Sequence, residues 1–200
     1  MKVIKIEPHG FLSNSYILTA DGKTAVAVDP SDGEVLSVLG RENLTCEYVL
    51  LTHGHFDHVG MCGVLQNDGA QILCGETEKD FIFSPGNRGI FGGVYIPVFE
   101  ISRTVKDGEK FTLCGINFTA VHTPGHTKGS MCYIADDCLF SGDTLFYCSV
   151  GRTDLPTGDM RELISSVKKL FALNGDYKIY TGHGENTTLD FERRRNPYVR

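Results

Sequence analysis

Residues 52–58 read Thr52-His53-Gly54-His55-Phe56-Asp57-His58 and close an apolar run, CEYVLLT over Cys46–Thr52. The length and composition of that run predict a strand buried on both faces. Four imidazole and carboxylate side chains therefore fall within six residues at the end of a buried strand. Nitrogen and oxygen donors of this kind suit zinc or a similar first-row metal. A lone histidine on a core face is usually just a satisfied polar group, and that reading holds for His9 and His122. It fails for this cluster, because desolvating four such groups together without a cation costs several kcal/mol each. Gly54 permits a tight turn, so His53 and His55 point one way while Asp57 and His58 begin a different local conformation. One metal does not easily use all four.

Outward from this cluster, three segments each end a predicted strand and each present one more ligand type. In His122-Thr123-Pro124-Gly125-His126-Thr127 the Pro-Gly pair forces a turn with His126 at its tip. In Ser141-Gly142-Asp143-Thr144-Leu145-Phe146 an acid follows an apolar strand, and in Thr181-Gly182-His183-Gly184 a histidine lies between glycines. Each alone is weak. Together they repeat one design, in which rigid strands hold ligands on adjoining loops.

The remaining pattern alternates short strands with a few helices. Strands are predicted over 3–7, 15–19 and 24–28, with Asp21-Gly22 as a hairpin turn, and again over 71–74, 110–114, 116–122, 131–135, 138–141 and 177–180. Helices are predicted from a Ser31 or Asp32 cap to about Gly40, over 59–66 and 77–83, and from an Asp159 cap to about Leu173. In the last of these Leu163, Val167, Leu170 and Phe171 share a face. The glycine-rich stretch 84–97 reads as a long irregular loop, a feature that is often functional. Strands then helices, twice over, predict an α/β protein of two packed mixed β-sheets with outer helices, an αββα sandwich, although periodicity alone leaves a doubly wound sheet open.

Two hundred residues with 41% hydrophobic content suffice for one domain over 1–200. The net charge of −6 disfavours nucleic-acid partners. The one basic run, Arg193-Arg194-Arg195, reads as a surface tail. The first thirty residues lack the apolar run of a signal peptide, and no stretch has membrane-spanning length, so no membrane partner is expected. Seven cysteines with no close CxxC pair fit neither a disulfide framework nor a zinc ribbon, which places the chain in a reducing, cytoplasmic compartment. Each cysteine reads as a small buried hydrophobe; Cys148, just behind Asp143, is also a candidate to face the site.

HxHxDH, then His in TPGHT, Asp in GDTLF and His in TGHG, resembles the metallo-β-lactamase-fold hydrolases over most of the chain. Within that superfamily Gly151-Arg152-Thr153-Asp154 looks closest to the short bacterial type II glyoxalase-like, or hydroxyacylglutathione hydrolase-like, proteins. The resemblance implies His53, His55 and His126 on a first metal, Asp57, His58 and His183 on a second, and Asp143 as the bridge. The implied cofactors are two divalent metal ions, zinc first, with iron and manganese as alternatives. Asp29 matches a position near the site, where it either orients a ligand histidine or simply makes the turn before Pro30. The expected reaction is attack by hydroxide, supplied at the metals, on a carbonyl carbon. Asp57 is the expected catalytic group, orienting the nucleophile and taking its proton.

The substrate class implied is an anionic thioester such as S-lactoylglutathione. Arg152 is a candidate for its carboxylate, with an exposed salt bridge as the equal alternative. Phe91 and Tyr95 are candidates to cover it from the glycine-rich loop. Longer members of the group carry a further helical domain that helps bind glutathione, and this chain ends soon after His183, so recognition of glutathione itself is not implied. Two rivals remain at this level: a mononuclear iron sulfur dioxygenase using two histidines and an aspartate, and a non-catalytic metal-binding or regulatory module. Oligomeric state is not legible.

Overall fold

In β3 (Thr24–Val28) successive residues are buried on both faces, as the apolar runs predict. Val26 and Val28 enter one core cluster while Ala25 and Ala27 enter another. The computed structural model describes residues 1–88 and 97–199. Among these residues one sheet comprises β1 (Lys2–Ile6), β2 (Ser15–Thr19), β3, β4 (Thr45–Leu50), β5 (Gln71–Gly75) and β6 (Arg103–Val105), in that spatial order. It is antiparallel from β1 to β3 and parallel from β3 to β6. In chain order there follow β7 (Lys110–Leu113), β8 (Ile116–His122), β9 (Met131–Ala135), β10 (Cys138–Gly142), a ribbon of β11 (Leu145–Phe146) and β12 (Ser149–Val150), then β13 (Lys178–Thr181) and β14 (Thr187–Thr188). The second sheet has the order β14-β13-β10-β9-β8-β7 and is antiparallel except between β10 and β13.

Three apolar layers hold this arrangement. The middle one lies between the sheets and joins Leu18, Val26, Leu50 and Leu73 to Phe118, Tyr133 and Phe140. On the outer face of the first sheet, Ile17, Val49 and Ile72 pack against α1 (Glu34–Glu42) and α2 (Cys62–Asn67). Two short helices follow, α3 (Lys79–Ile82) and α4 (Pro85–Arg88), the latter inside the stretch read as loop. On the outer face of the second sheet, Val121, Leu139 and Ile179 pack against Leu163, Val167 and Leu170 of α5 (Met160–Phe171). The fold is therefore an αββα sandwich, in which the hydrophobic effect acts on both faces of each sheet.

The local signals operate as expected. Asp159 caps α5 by accepting the Arg161 and Glu162 amides at 2.7 and 3.0 Å. Cys114 and Gly115 both take positive φ between paired Leu113 and Ile116, the geometry of a two-residue hairpin. The basic run differs from expectation. It is not a tail but the end of α6 (Leu189–Arg195), anchored by the buried Leu189 and Glu192. Arg193 donates to the carbonyls of Phe171, Leu173 and Gly175, at and just beyond the C-terminal end of α5, where a cation is favourable. No helix among the described residues is long and apolar enough to cross a membrane.

Candidate metal centre

The ligand-type side chains gather beyond the C-terminal ends of strands: Asp29 after β3, His53 to His58 after β4, His126 after β8, Asp143 after β10 and His183 after β13. Backbone bonds tie these loops to one another. The Met131 amide donates to the Thr52 carbonyl at 2.8 Å, Gly182 to Gly142 at 2.9 Å, and Asn14 to Gly182 at 2.7 Å. Gly182 must be glycine, since a Cβ there would lie 2.1 Å from Asp143 Oδ1 and 3.0 Å from His58 Cε1.

Three groups of donors lie close enough together to hold a metal: His53, His55 and His126; Asp57, His58 and His183; and, overlapping both, Asp29, His53 and His58. In the first, His126 Nε2 lies 2.9 Å from His55 Nδ1 and 3.2 Å from His53 Nε2. Two nitrogens on one tetrahedral zinc are about 3.3 Å apart, given bonds of about 2.0 Å. The opposite ring nitrogens of His126 and His53 are already engaged, while His55 Nε2 is buried without a hydrogen-bond partner among the described residues. His126 Nδ1 donates to the Arg152 carbonyl at 2.8 Å, and His53 Nδ1 meets the Thr52 hydroxyl at 3.1 Å. Because that hydroxyl donates to Asp29 at 2.6 Å, His53 Nδ1 carries the hydrogen. The Nε2 lone pairs of His53 and His126 therefore converge on one point, an arrangement that a cation relieves.

Asp29 serves both clusters. Its left-handed backbone, φ +48, turns the carboxylate inward at the end of β3. Oδ1 accepts the Thr52 amide at 2.8 Å, while Oδ2 accepts the Thr52 hydroxyl and, at 2.9 Å, His58 Nδ1. With both oxygens occupied, Asp29 suits the orienting role better than that of a ligand, although it lies close enough to His53 and His58 for either. His58 Nε2 is left facing inward, 3.4 Å from Asp143 Oδ1. Both atoms are buried without a hydrogen-bond partner among the described residues. Asp143 Oδ2 stands 3.5 Å from His126 Nε2 and 3.6 Å from His183 Nε2, between the clusters. Orphaned ligand atoms of this kind fit a pair of cations.

Burial, aided by the neighbouring histidines, holds His53 well below the usual imidazole range and pushes His55 down to about 3. Burial also acts downward on His58, but Asp143, Asp29 and Asp57 outweigh it and hold that ring well above its ordinary value. Burial would raise Asp143, yet His58, His126 and His183 keep it well below the carboxylate range. His53 and His55 are thus neutral and Asp143 ionised, the states that bind a divalent cation, whereas His58 favours a proton that a cation would have to displace.

Sequence reasoning missed Glu78, which sits fully buried just before α3. Its Oε1 accepts the Gly54 amide at 2.7 Å and its Oε2 the Thr127 hydroxyl at 2.8 Å, so one carboxyl staples the His53–His58 loop to the loop of His126. Asn87 holds the next peptide group, donating to the Gly54 carbonyl at 2.7 Å. No spacing rule marks either residue. Burial, against the hydrogen bonds of Thr127, Gly54 and Gly129, pushes the Glu78 carboxyl from 4.5 up to about 7. Within that window the folded protein keeps a proton that the unfolded chain releases, so the Glu78 contribution to stability falls as pH rises from 4.5 to about 7. Glu78→Gln cannot titrate. Urea unfolding at about pH 5 and about pH 8 should show the wild type losing stability relative to this variant; an equal change in both proteins refutes the shift.

The clusters open onto a cleft of about 910 Å³ bordered by His55, Asp57, His126, Asp143 and His183. Arg152 lines it too, with its guanidinium engaged by Asp154 through two bonds of 2.7 Å. Phe91 and Tyr95 lie outside the described residues. Cys148 is half-buried, and its amide donates to Glu192.

Against known proteins, the family model of the metallo-β-lactamase superfamily matches residues 10–183. The hydroxyacylglutathione hydrolase GloC of Haemophilus influenzae is 38% identical over the whole of this chain and 98% of its own length. The crystal structure of the BLEG-1 B3 metallo-β-lactamase superposes with a TM-score of 0.92 at 31% identity, covering 99% of each chain. That of TTHA1623 in a di-iron-bound form gives 0.84 at 29% identity, covering 98% of this chain and 100% of the other. The chain belongs to the metallo-β-lactamase superfamily. Its fold and paired donor clusters define a metal-dependent enzyme of hydrolase or dioxygenase type.

Proposed function

We propose that this protein is a two-metal hydrolase of thioesters, the class to which S-lactoylglutathione belongs. The observation that carries the two-metal reading is the position of Asp143, whose Oδ2 lies at nearly equal distance from one imidazole of each cluster. In this reading His53, His55 and His126 would hold the first cation and Asp57, His58 and His183 the second, with Asp143 within reach of either. Imidazole and carboxylate donors without thiolate suit zinc, with iron and manganese as alternatives. Bound divalent cations lower the pKa of water from about 16 toward about 7 and so supply hydroxide at neutral pH. Asp57, which borders the cleft with its Oδ2 3.2 Å from His183 Nε2, orients the attacking water and accepts its proton. Asp29 keeps His58 in the ligating tautomer directly and His53 through Thr52.

The thioester assignment is supported by the hydroxyacylglutathione hydrolase relative, which aligns from end to end. A one-iron sulfur dioxygenase would leave Asp57, His58 and His183 converged without a use. All seven cysteines are free, which supports a reducing, cytoplasmic location. The test is a hydrolysis panel of thioesters, lactones, β-lactams and phosphodiesters on metal-replete protein, with metal content measured on the same sample. Thioesters should be cleaved fastest by protein carrying two metals per chain. One iron per chain with oxygen-dependent turnover would support the dioxygenase instead.

A further inference from the structure

The walls of the cleft bear on which thioester fits. Beside the donor clusters it is lined by Phe11, Phe56, Phe146, Val150 and Leu155. Phe56 follows His55 directly, and the Phe146 ring lies 6.1 Å from that of His183, so apolar surface begins at the reacting centre. At the mouth, Phe11 is 94% exposed on the loop before β2. A single exposed aromatic is ordinary, but one that borders the same cleft as an apolar wall beside the donor clusters marks a ligand surface. The cationic side chain that lines the cleft among the described residues, Arg152, is already held by Asp154. A glutathione thioester brings two carboxylates, and this wall offers them little.

Resting on the thioesterase reading, we propose that the cleft selects its substrate by an apolar group, carried on either the acyl or the thiol side, and that Phe11 closes over that group as a specificity-determining residue. The reaction is otherwise unchanged. Water's oxygen joins the acyl carbon as the C–S bond breaks, giving carboxylate, thiol and one proton. Transfer of each methylene from water to such a wall is worth about 0.8 kcal/mol, or about fourfold in kcat/KM.

The experiment compares two series on the metal-loaded protein: acetyl to octanoyl thioesters of N-acetylcysteamine, and acetyl thioesters of ethane- to octanethiol. S-lactoylglutathione is measured alongside. We expect kcat/KM to rise about two- to fourfold per methylene in at least one series, chiefly through KM, and the series that responds identifies the side bearing the group. Phe11→Ala should flatten that rise. Since the ring is exposed, loss of folding does not confound the result. Preference for S-lactoylglutathione over every long-chain ester, or a length dependence untouched in Phe11→Ala, overturns this inference and leaves the thioesterase reading intact. Hydrolysis of no thioester in either series, nor of S-lactoylglutathione, overturns both.

Discussion

Asp143→Ala is expected to lose metal and activity together, with kcat/KM falling by about three orders of magnitude or more, roughly 4 kcal/mol of transition-state stabilisation. The carboxylate is 9% exposed and stands between the two clusters. Removing it leaves His58 Nε2 facing a void and takes away one of the negative charges that offset two dications. Both sites should weaken, because the same side chain borders both. The measurement is metal content after dialysis beside steady-state turnover of the best thioester from the panel. Wild-type turnover at undiminished metal content would remove Asp143 from the bridging position and with it the two-metal proposal.

The second large effect is expected at Asp29, which touches no proposed metal. In Asp29→Asn the Thr52 amide keeps its acceptor, but the new amide nitrogen points at His58 Nδ1 and the Thr52 hydroxyl. His58 can satisfy that donor only by accepting at Nδ1, which moves its hydrogen to Nε2 and blocks the lone pair aimed at Asp143. Affinity at the Asp57, His58 and His183 cluster should drop about 10- to 100-fold, and activity with it. His53 is reached only through the Thr52 hydroxyl, so the first cluster should suffer less. Titration with zinc followed by calorimetry distinguishes the outcomes. Two equivalent, tight sites in the variant would show that Asp29 merely makes the turn before Pro30.

The elements that local chemistry determines were legible. Capping by Asp159, the Asp21-Gly22 turn and the doubly apolar strands all appear where the residues place them. What sequence reading left out depends on distant neighbours. Strand β6 is three residues, Arg103–Val105, with only Val105 buried, and it exists because β5 offers an open edge to pair with. Helix α6 looked like a charged tail because its partner carbonyls, at Phe171, Leu173 and Gly175, lie far back in the chain.

At the site the division follows the same line. The donor identities, and their placement after strands, were set by the sequence alone, since the choice of imidazole or carboxylate and the turn that exposes it are properties of a few adjacent residues. Tertiary structure decided which ring nitrogen faces inward, that Asp29 orients two histidines, that Glu78 joins two loops, and that Arg152 is tied to Asp154. Each of these depends on distances of about 3 Å between side chains, and most of those side chains lie far apart along the chain. Hydrogen-bond energy falls so steeply with distance and angle that only the packed sheets can settle such pairings.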